Sequence, residues 1–318
     1  MDALLSRGPL PCWRIRPGQI MGQASCSRRP GRVPPPHRTD VSVVSDSTEP
    51  RPAAVTKALT HQGSLSGKAI IIAGAATGIG ATTARRMASD GAHVIVADIN
   101  RAGAEEVVAS IRDLGGEATP VWFDAADRDS VEVMIAESVA VLGRLDGLFA
   151  NAADLSPGTI GPDSSNDLGT LPLDVWDRTL AVNLTGAMLC CRYAIPEMIR
   201  GGGGSIVLTA SIAGTAGEPV RGAYTVAKHG IIGLARHLSA AYGPKGIRTN
   251  AIAPGVVYKG GEQSAMVSFY EQITPIRKPL TTADIAETVV FLISDASSMI
   301  AGQTLTIDGG ILSVIPQA

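Results

Sequence analysis

The chain has 318 residues, 27 Lys and Arg against 29 Asp and Glu for a formal net charge of -2, and four cysteines. Near-neutrality leaves no electrostatic footprint for nucleic acid or an anionic membrane surface, and no apolar run reaches the ~18 residues of a transmembrane helix. The cysteines, at positions 12, 26, 190 and 191, form no CxxC pair and no Cys/His zinc spacing; that argues against a disulfide framework or a metal site and fits a reducing cytoplasm.

Residues 1–65 stand apart. They carry Pro34-Pro35-Pro36, scattered arginines and serines, and no hydrophobic period. One reading is a disordered N-terminal extension or an over-called translation start, with Met21 as the alternative. The other is a targeting segment: the arginines and the scarcity of acids resemble a transit peptide, while the prolines oppose its amphipathic helix. The segment is excluded from the fold, and residues 66–318 are read as a single domain.

Lys68–Ala73 is a β-branched apolar run, a buried strand. The turn Gly74-Ala75-Ala76-Thr77-Gly78-Ile79-Gly80 follows, then a helix from Gly78 to Asp90 and a second strand, His93–Asp98, ending in an acid. The physics is that of a dinucleotide site: a glycine turn lets backbone approach a pyrophosphate, and a helix N-terminus offers amides and a positive dipole end. Gly74, Thr77, Gly78, Ile79 and Gly80 are the candidate contacts. Asp98 accepts from the adenosine ribose and repels a 2′-phosphate, favouring NAD over NADP, with Arg101 close enough to blur the choice. The glycine spacing, 74-xxx-78-x-80, departs from the usual fingerprint.

A helix over 102–114 leads to a third strand, Ala118–Asp124, where Asp124 either touches the adenine edge or caps the next helix. A helix over 131–142 leads to a fourth strand, Leu145–Asn151. Alternating strands and helices imply a Rossmann-type doubly wound parallel sheet of about seven strands, whose ligands bind at the carboxyl edge. Residues 154–171 read as a long loop, either a lid or surface decoration. One long helix spans 173–200 and contains Asn183, Cys190 and Cys191, the cysteines being core or interface packing. Further strands cover 205–211, 247–255 and 303–310, with a helix over 283–295.

Tyr224 and Lys228 are four residues apart at the start of a helical run, so phenol and ammonium share one face. A free tyrosine titrates near ~10, and a fixed cation stabilises its phenolate. Lowering that value by about three units needs roughly 4 kcal/mol, after which Tyr224 exchanges protons with an oxygen near neutrality.

Together these marks resemble the classical short-chain dehydrogenase/reductase family over residues 65–312. They are the glycine turn, Asp98, Asp124, Asn151-Ala152, Asn183, Ser211 thirteen residues before Tyr224, Tyr224-xxx-Lys228, Asn250 with Pro254-Gly255, and Ile307-Asp308-Gly309-Gly310. The resemblance implies a hydride exchanged between NAD(H) and a small secondary alcohol or ketone. Tyr224 is then general acid/base, and Lys228 lowers its pKa and holds the nicotinamide ribose. Ser211 steadies the substrate oxygen, Asn183 holds a helix kink and a water, and Asn151, Pro254 and Gly255 border the cofactor. It also implies a homodimer or homotetramer. A non-catalytic nucleotide-binding regulator on the same fold is the alternative. Two departures stand out. Ala153 replaces a family glycine, and Lys259 takes a position where the family often has threonine, facing either an acidic substrate or solvent. Met266, Phe269, Tyr270 and Ile273 suggest an amphipathic flap over the substrate.

Overall fold

The computed structural model describes residues 64–154, 168–258 and 265–314. The expectations for residues 1–63, for most of the 154–171 loop and for Lys259 lie outside these residues. The folded domain begins slightly earlier in the chain than expected. Leu65 is fully buried and the Ser64 hydroxyl donates to Asp90 Oδ2 at 3.0 Å, so both belong to the folded unit rather than to the extension.

In chain order the strands are β1 (Ala69–Ala73), β2 (His93–Asp98), β3 (Glu117–Trp122), β4 (Gly147–Ala150), β5 (Gly204–Thr209), β6 (Ile247–Pro254), β7 (Val257–Tyr258), β8 (Leu280–Thr281) and β9 (Thr304–Ile307). Seven form one parallel sheet in the order β3-β2-β1-β4-β5-β6-β9, and the short β7 and β8 pair with each other. The helices are α1 (Gly78–Ser89), α2 (Arg101–Asp113), α3 (Arg128–Leu142), α4 (Leu173–Leu180), α5 (Ala187–Arg200), α6 (Gly222–Tyr242), α7 (Ala265–Ile273) and α8 (Thr282–Ile293). None of the described helices is long and apolar enough to cross a membrane.

Why these residues form a central strand is plain in β1. All five residues of Ala-Ile-Ile-Ile-Ala are buried, as a parallel strand covered on both faces requires. Side chains alternate: Ile71 and Ala73 enter one apolar cluster with Val131 and Met134 of α3 and Ile231 of α6. Ile70 and Ile72 enter the other with Met87 of α1, Val107 of α2 and Val289 of α8. Each buried isoleucine contributes roughly 2 kcal/mol relative to exposure. Cys190 and Cys191 lie in the first cluster as free thiols, and burial pushes the Cys190 pKa up to about 12, so both are inert packing groups.

The order reverses between β1 and β4, which places a crevice at their carboxyl ends. The cleft described below opens at that edge. Asn250 pins it laterally: its Nδ2 donates to the Ile300 carbonyl at 2.8 Å and its Oδ1 accepts from Gln303 N at 3.0 Å, tying β6 to the approach to β9.

Candidate active site

A cleft of about 700 Å³ runs along the carboxyl edge. Its first wall is the β1–α1 turn, with Gly74, Thr77, Gly78 and Ile79 lining it. Gly74 has φ +88, and a Cβ there would come within 2.5 Å of Ala152 Cα, so glycine is required by conformation and by crowding. The α1 N-cap, Thr77, makes no side-chain capping bond, and the space above Gly78 is open for 4 Å. Free helix-terminal amides facing open space fit a pyrophosphate. Gly80 does not line the cleft; it packs beneath the turn against Gly74 and Ala75.

Asp98 lines the same wall at the end of β2. Its carboxylate is already at work: Oδ2 accepts from Ala76 N and Oδ1 from Asn100 N, each at 2.9 Å. It therefore holds the glycine turn as well as lining the cleft. Asp124 also lines the cleft, and its Oδ1 accepts from Ala126 N at 2.8 Å, while the cap of α3 is Asp127 rather than Asp124. Asn151 braces the floor: its Nδ2 donates to the Gly74 carbonyl at 2.9 Å and its Oδ1 accepts from Thr209 Oγ1 at 3.0 Å. Ala153, where the related pattern has glycine, introduces no strain, because Arg221 is the only non-glycine residue with positive φ among the described residues. Pro254 and Gly255 close the far side, with Gly255 N bonded to the Ile307 carbonyl at 2.9 Å.

Ser211, Tyr224 and Lys228 all line this cleft. Ser211 follows β5 in extended conformation, and its Oγ accepts from Ala213 N at 3.2 Å, capping a short 3₁₀ turn. Tyr224 is the third residue of α6 and Lys228 is one turn on, with its Nζ 5.5 Å from the phenol ring centroid. Nζ donates to the Thr209 carbonyl at 2.9 Å, a bond that fixes the fully buried lysine at the end of β5.

One electrostatic expectation is corrected. The phenol of Tyr224 has its pKa raised above the ordinary value, not brought down toward neutrality. Burial disfavours the phenolate more than its surroundings favour it; interaction with the Ser211 hydroxyl and the Arg221 charge act the other way, and Glu218 adds to the rise. Lys228 is itself desolvated, which pushes its pKa down to about 8.

Asn183 does not border the cleft. The expected single helix over 173–200 is continuous but contains a π-helical turn, Ala181–Gly186, joining α4 to α5. Asn183 sits in that turn, buried, with Nδ2 donating to the Thr179 carbonyl at 3.1 Å. The wider turn displaces a backbone donor, and the side-chain amide replaces it. Its Oδ1 is buried without a hydrogen-bond partner, an acceptor suited to a water.

The cleft holds residues that pattern alone did not single out. Asp154 and Arg178 pair across it at 2.6 Å, and Glu218 and Arg221 form a second pair. Of the expected flap, Met266 and Tyr270, one turn apart on α7, line the cleft; Phe269 and Ile273 are exposed and do not.

Residues 74–312 match a family model described as enoyl-(acyl carrier protein) reductase. The 2,5-dichloro-2,5-cyclohexadiene-1,4-diol dehydrogenase of Sphingobium indicum is 39% identical over 257 residues, covering 79% of this chain and 99% of that protein. The cis-4-hydroxycyclohexanecarboxylate dehydrogenase of Sinomonas cyclohexanicum is 36% identical, covering 77% of this chain and 96% of its own. A Burkholderia xenovorans crystal structure assigned to the short-chain dehydrogenases/reductases superposes with a TM-score of 0.72 at 32% identity, covering 80% of this chain and all of that one.

Proposed function

The chain belongs to the classical short-chain dehydrogenase/reductase family, and on that premise we propose that it is an NAD-dependent oxidoreductase of ring-bearing secondary alcohols and their ketones. One observation carries the proposal: Ser211, Tyr224 and Lys228 border the same cleft as the glycine turn and Asp98. The relatives oxidise alcohols, and two of them are named for hydroxylated six-membered rings. Val182, Ile212, Val256, Met266 and Tyr270 line the same cleft as Tyr224 and give it apolar wall enough for such a ring.

The glycine turn and Asp98 would hold NAD, which would supply the hydride acceptor. Tyr224 takes the hydroxyl proton as the carbinol carbon loses hydride, and returns it in ketone reduction. Ser211 donates to the substrate oxygen where negative charge develops. Lys228, anchored on the Thr209 carbonyl, supports the phenolate and would also bond the ribose of a bound nicotinamide; the buried Asn183 Oδ1 would accept from a water. A homodimer or homotetramer fits the half-exposed Met188 and Val226 of α5 and α6.

The direct test is a panel of cyclic secondary alcohols with NAD and NADP, followed at the NADH absorbance. Turnover of none, together with reduction of an enoyl thioester, would assign the chemistry in the family model's name instead. Asp98→Ala is expected to weaken NAD and narrow its advantage over NADP several-fold, because the carboxylate that repels a 2′-phosphate is gone. An unchanged cofactor ratio removes Asp98 from that role.

The pH dependence follows from the two shifts. Oxidation needs the phenolate, and burial sets the phenol pKa high. The kcat/KM for oxidation should therefore rise with pH through neutrality. It should flatten as Lys228, with a pKa pushed down to about 8, gives up its charge. Ketone reduction, which uses the protonated phenol, should not rise over the same interval. An oxidation rate that falls there excludes Tyr224 as the base.

A further inference from the structure

The Tyr224 ring is approached by two cations. Lys228 is one; the other is Arg221, whose guanidinium carbon lies 5.3 Å from the ring centroid. Arg221 is the N-cap of α6 and adopts φ 61, ψ 50, the left-handed conformation that long side chains rarely take. Strain of this kind persists where the surroundings over-determine it, and it gathers at functional sites. Glu218 supplies that constraint. Its Oε1 accepts from Arg221 Nε at 3.1 Å and from Nη2, and both side chains are largely shielded, at 22% and 29% exposure. Glu218 and Arg221 both line the cleft beside Tyr224.

We infer that Arg221, locked by Glu218, is a positioning residue of the proton-transfer site, a second cation that stabilises the phenolate form of Tyr224 alongside Lys228. The inference rests on the dehydrogenase reading and extends it to a residue pair outside the Ser211, Tyr224, Lys228 set. The chemistry follows from where Lys228 stands. Its ammonium is committed to the Thr209 carbonyl and is desolvated, so it alone is a weak support for a buried phenolate. A guanidinium keeps its charge at any working pH and can lie over an aromatic face. The signs agree: the Arg221 charge favours the phenolate and the Glu218 charge opposes it.

The other groups around the phenol leave this pair in control. Ser211, from the turn after β5, is neutral. On α4, Asp174 and Asp177 are exposed, and Arg178 is closed on Asp154. On β6, Arg248 reaches the Leu292 and Ser294 carbonyls instead. On α6 itself, His229 is exposed and bonds the Thr225 carbonyl.

The experiment is the pH profile of kcat/KM for alcohol oxidation in the full-length chain and in Arg221→Gln, Arg221→Lys and Glu218→Gln. Arg221→Gln should move the rising limb to higher pH by about half a unit or more, and Glu218→Gln should move it to lower pH. Arg221→Lys, which keeps the charge, should stay closer to wild type than Arg221→Gln. NADH affinity should change little in all three, since neither residue lies on the glycine-turn wall. A pair with only a structural role would shift no limb, or both in one direction, and either result overturns the inference. If Arg221→Gln fails to fold, the Glu218→Gln and Arg221→Lys limbs still decide it. A wild-type chain that oxidises no alcohol overturns the dehydrogenase reading and this inference with it; an active wild type with unmoved limbs overturns the role of Arg221 alone.

Discussion

Tyr224→Phe is expected to lower kcat by about 10² to 10⁴, while the dissociation constant of NADH shifts by no more than about threefold. The loss corresponds to roughly 3–5 kcal/mol of transition-state stabilisation, the usual worth of a positioned acid/base. Phenylalanine keeps the ring and its packing at the start of α6 and removes only the hydroxyl that exchanges the proton. No neighbour can take over. Lys228 is tied to the Thr209 carbonyl with its nitrogen 5.5 Å from the ring centroid. The Ser211 hydroxyl is an acid far too weak for the task near neutrality. Steady-state rates and NADH fluorescence titration on the same preparation separate the two effects. A variant that retains more than about a tenth of wild-type kcat takes Tyr224 out of the proton transfer.

What the chain revealed before its structure was known divides along physical lines. Strands such as β1 and β5 were legible because burial on both faces demands an unbroken apolar run. Their ends drifted by one or two residues, since the last residue of a run belongs to turn or strand according to hydrogen bonds the sequence does not record. The pair β7 and β8, two residues each, is too short to carry a period. Ser211, Tyr224 and Lys228 were legible as positions, and all three line one cleft. The electrostatics were not. A lysine one turn away predicts an acidic phenol, but the depth of burial decides the sign, and burial is a property of the whole fold. Asp98 lines the cleft, while its bonds to Ala76 and Asn100 depend on the curl of a turn. Arg221 lay hidden because nothing in an Arg-Gly-Ala-Tyr stretch announces a left-handed arginine.

The second large effect is expected at Gly80, a residue that touches no ligand space. Gly80→Ala should destabilise the fold by about 2–3 kcal/mol and weaken NADH binding at least tenfold, although alanine is the better helix former by about 1 kcal/mol. Gly80 is the third residue of α1, so its backbone suits alanine. The obstacle is contact: an added Cβ would overlap the Gly74 carbonyl oxygen and come within 2.8 Å of Ala75 Cα. Those atoms are backbone and cannot swing aside. They are also held from above, the Gly74 carbonyl by Asn151 at 2.9 Å and the next residue but one by Asp98 at 2.9 Å. Relief therefore comes only by pushing the turn away from α1 and breaking those bonds, which spoils the surface proposed for the pyrophosphate. Gly78→Ala is the control. Its φ is +57 but no atom lies within 4 Å of the new Cβ, so only the left-handed strain of about 1–2 kcal/mol is incurred. Urea denaturation should rank Gly80→Ala below Gly78→Ala. The reverse order would mean that backbone conformation, rather than the close seating of helix against turn, is what the glycines of this motif protect.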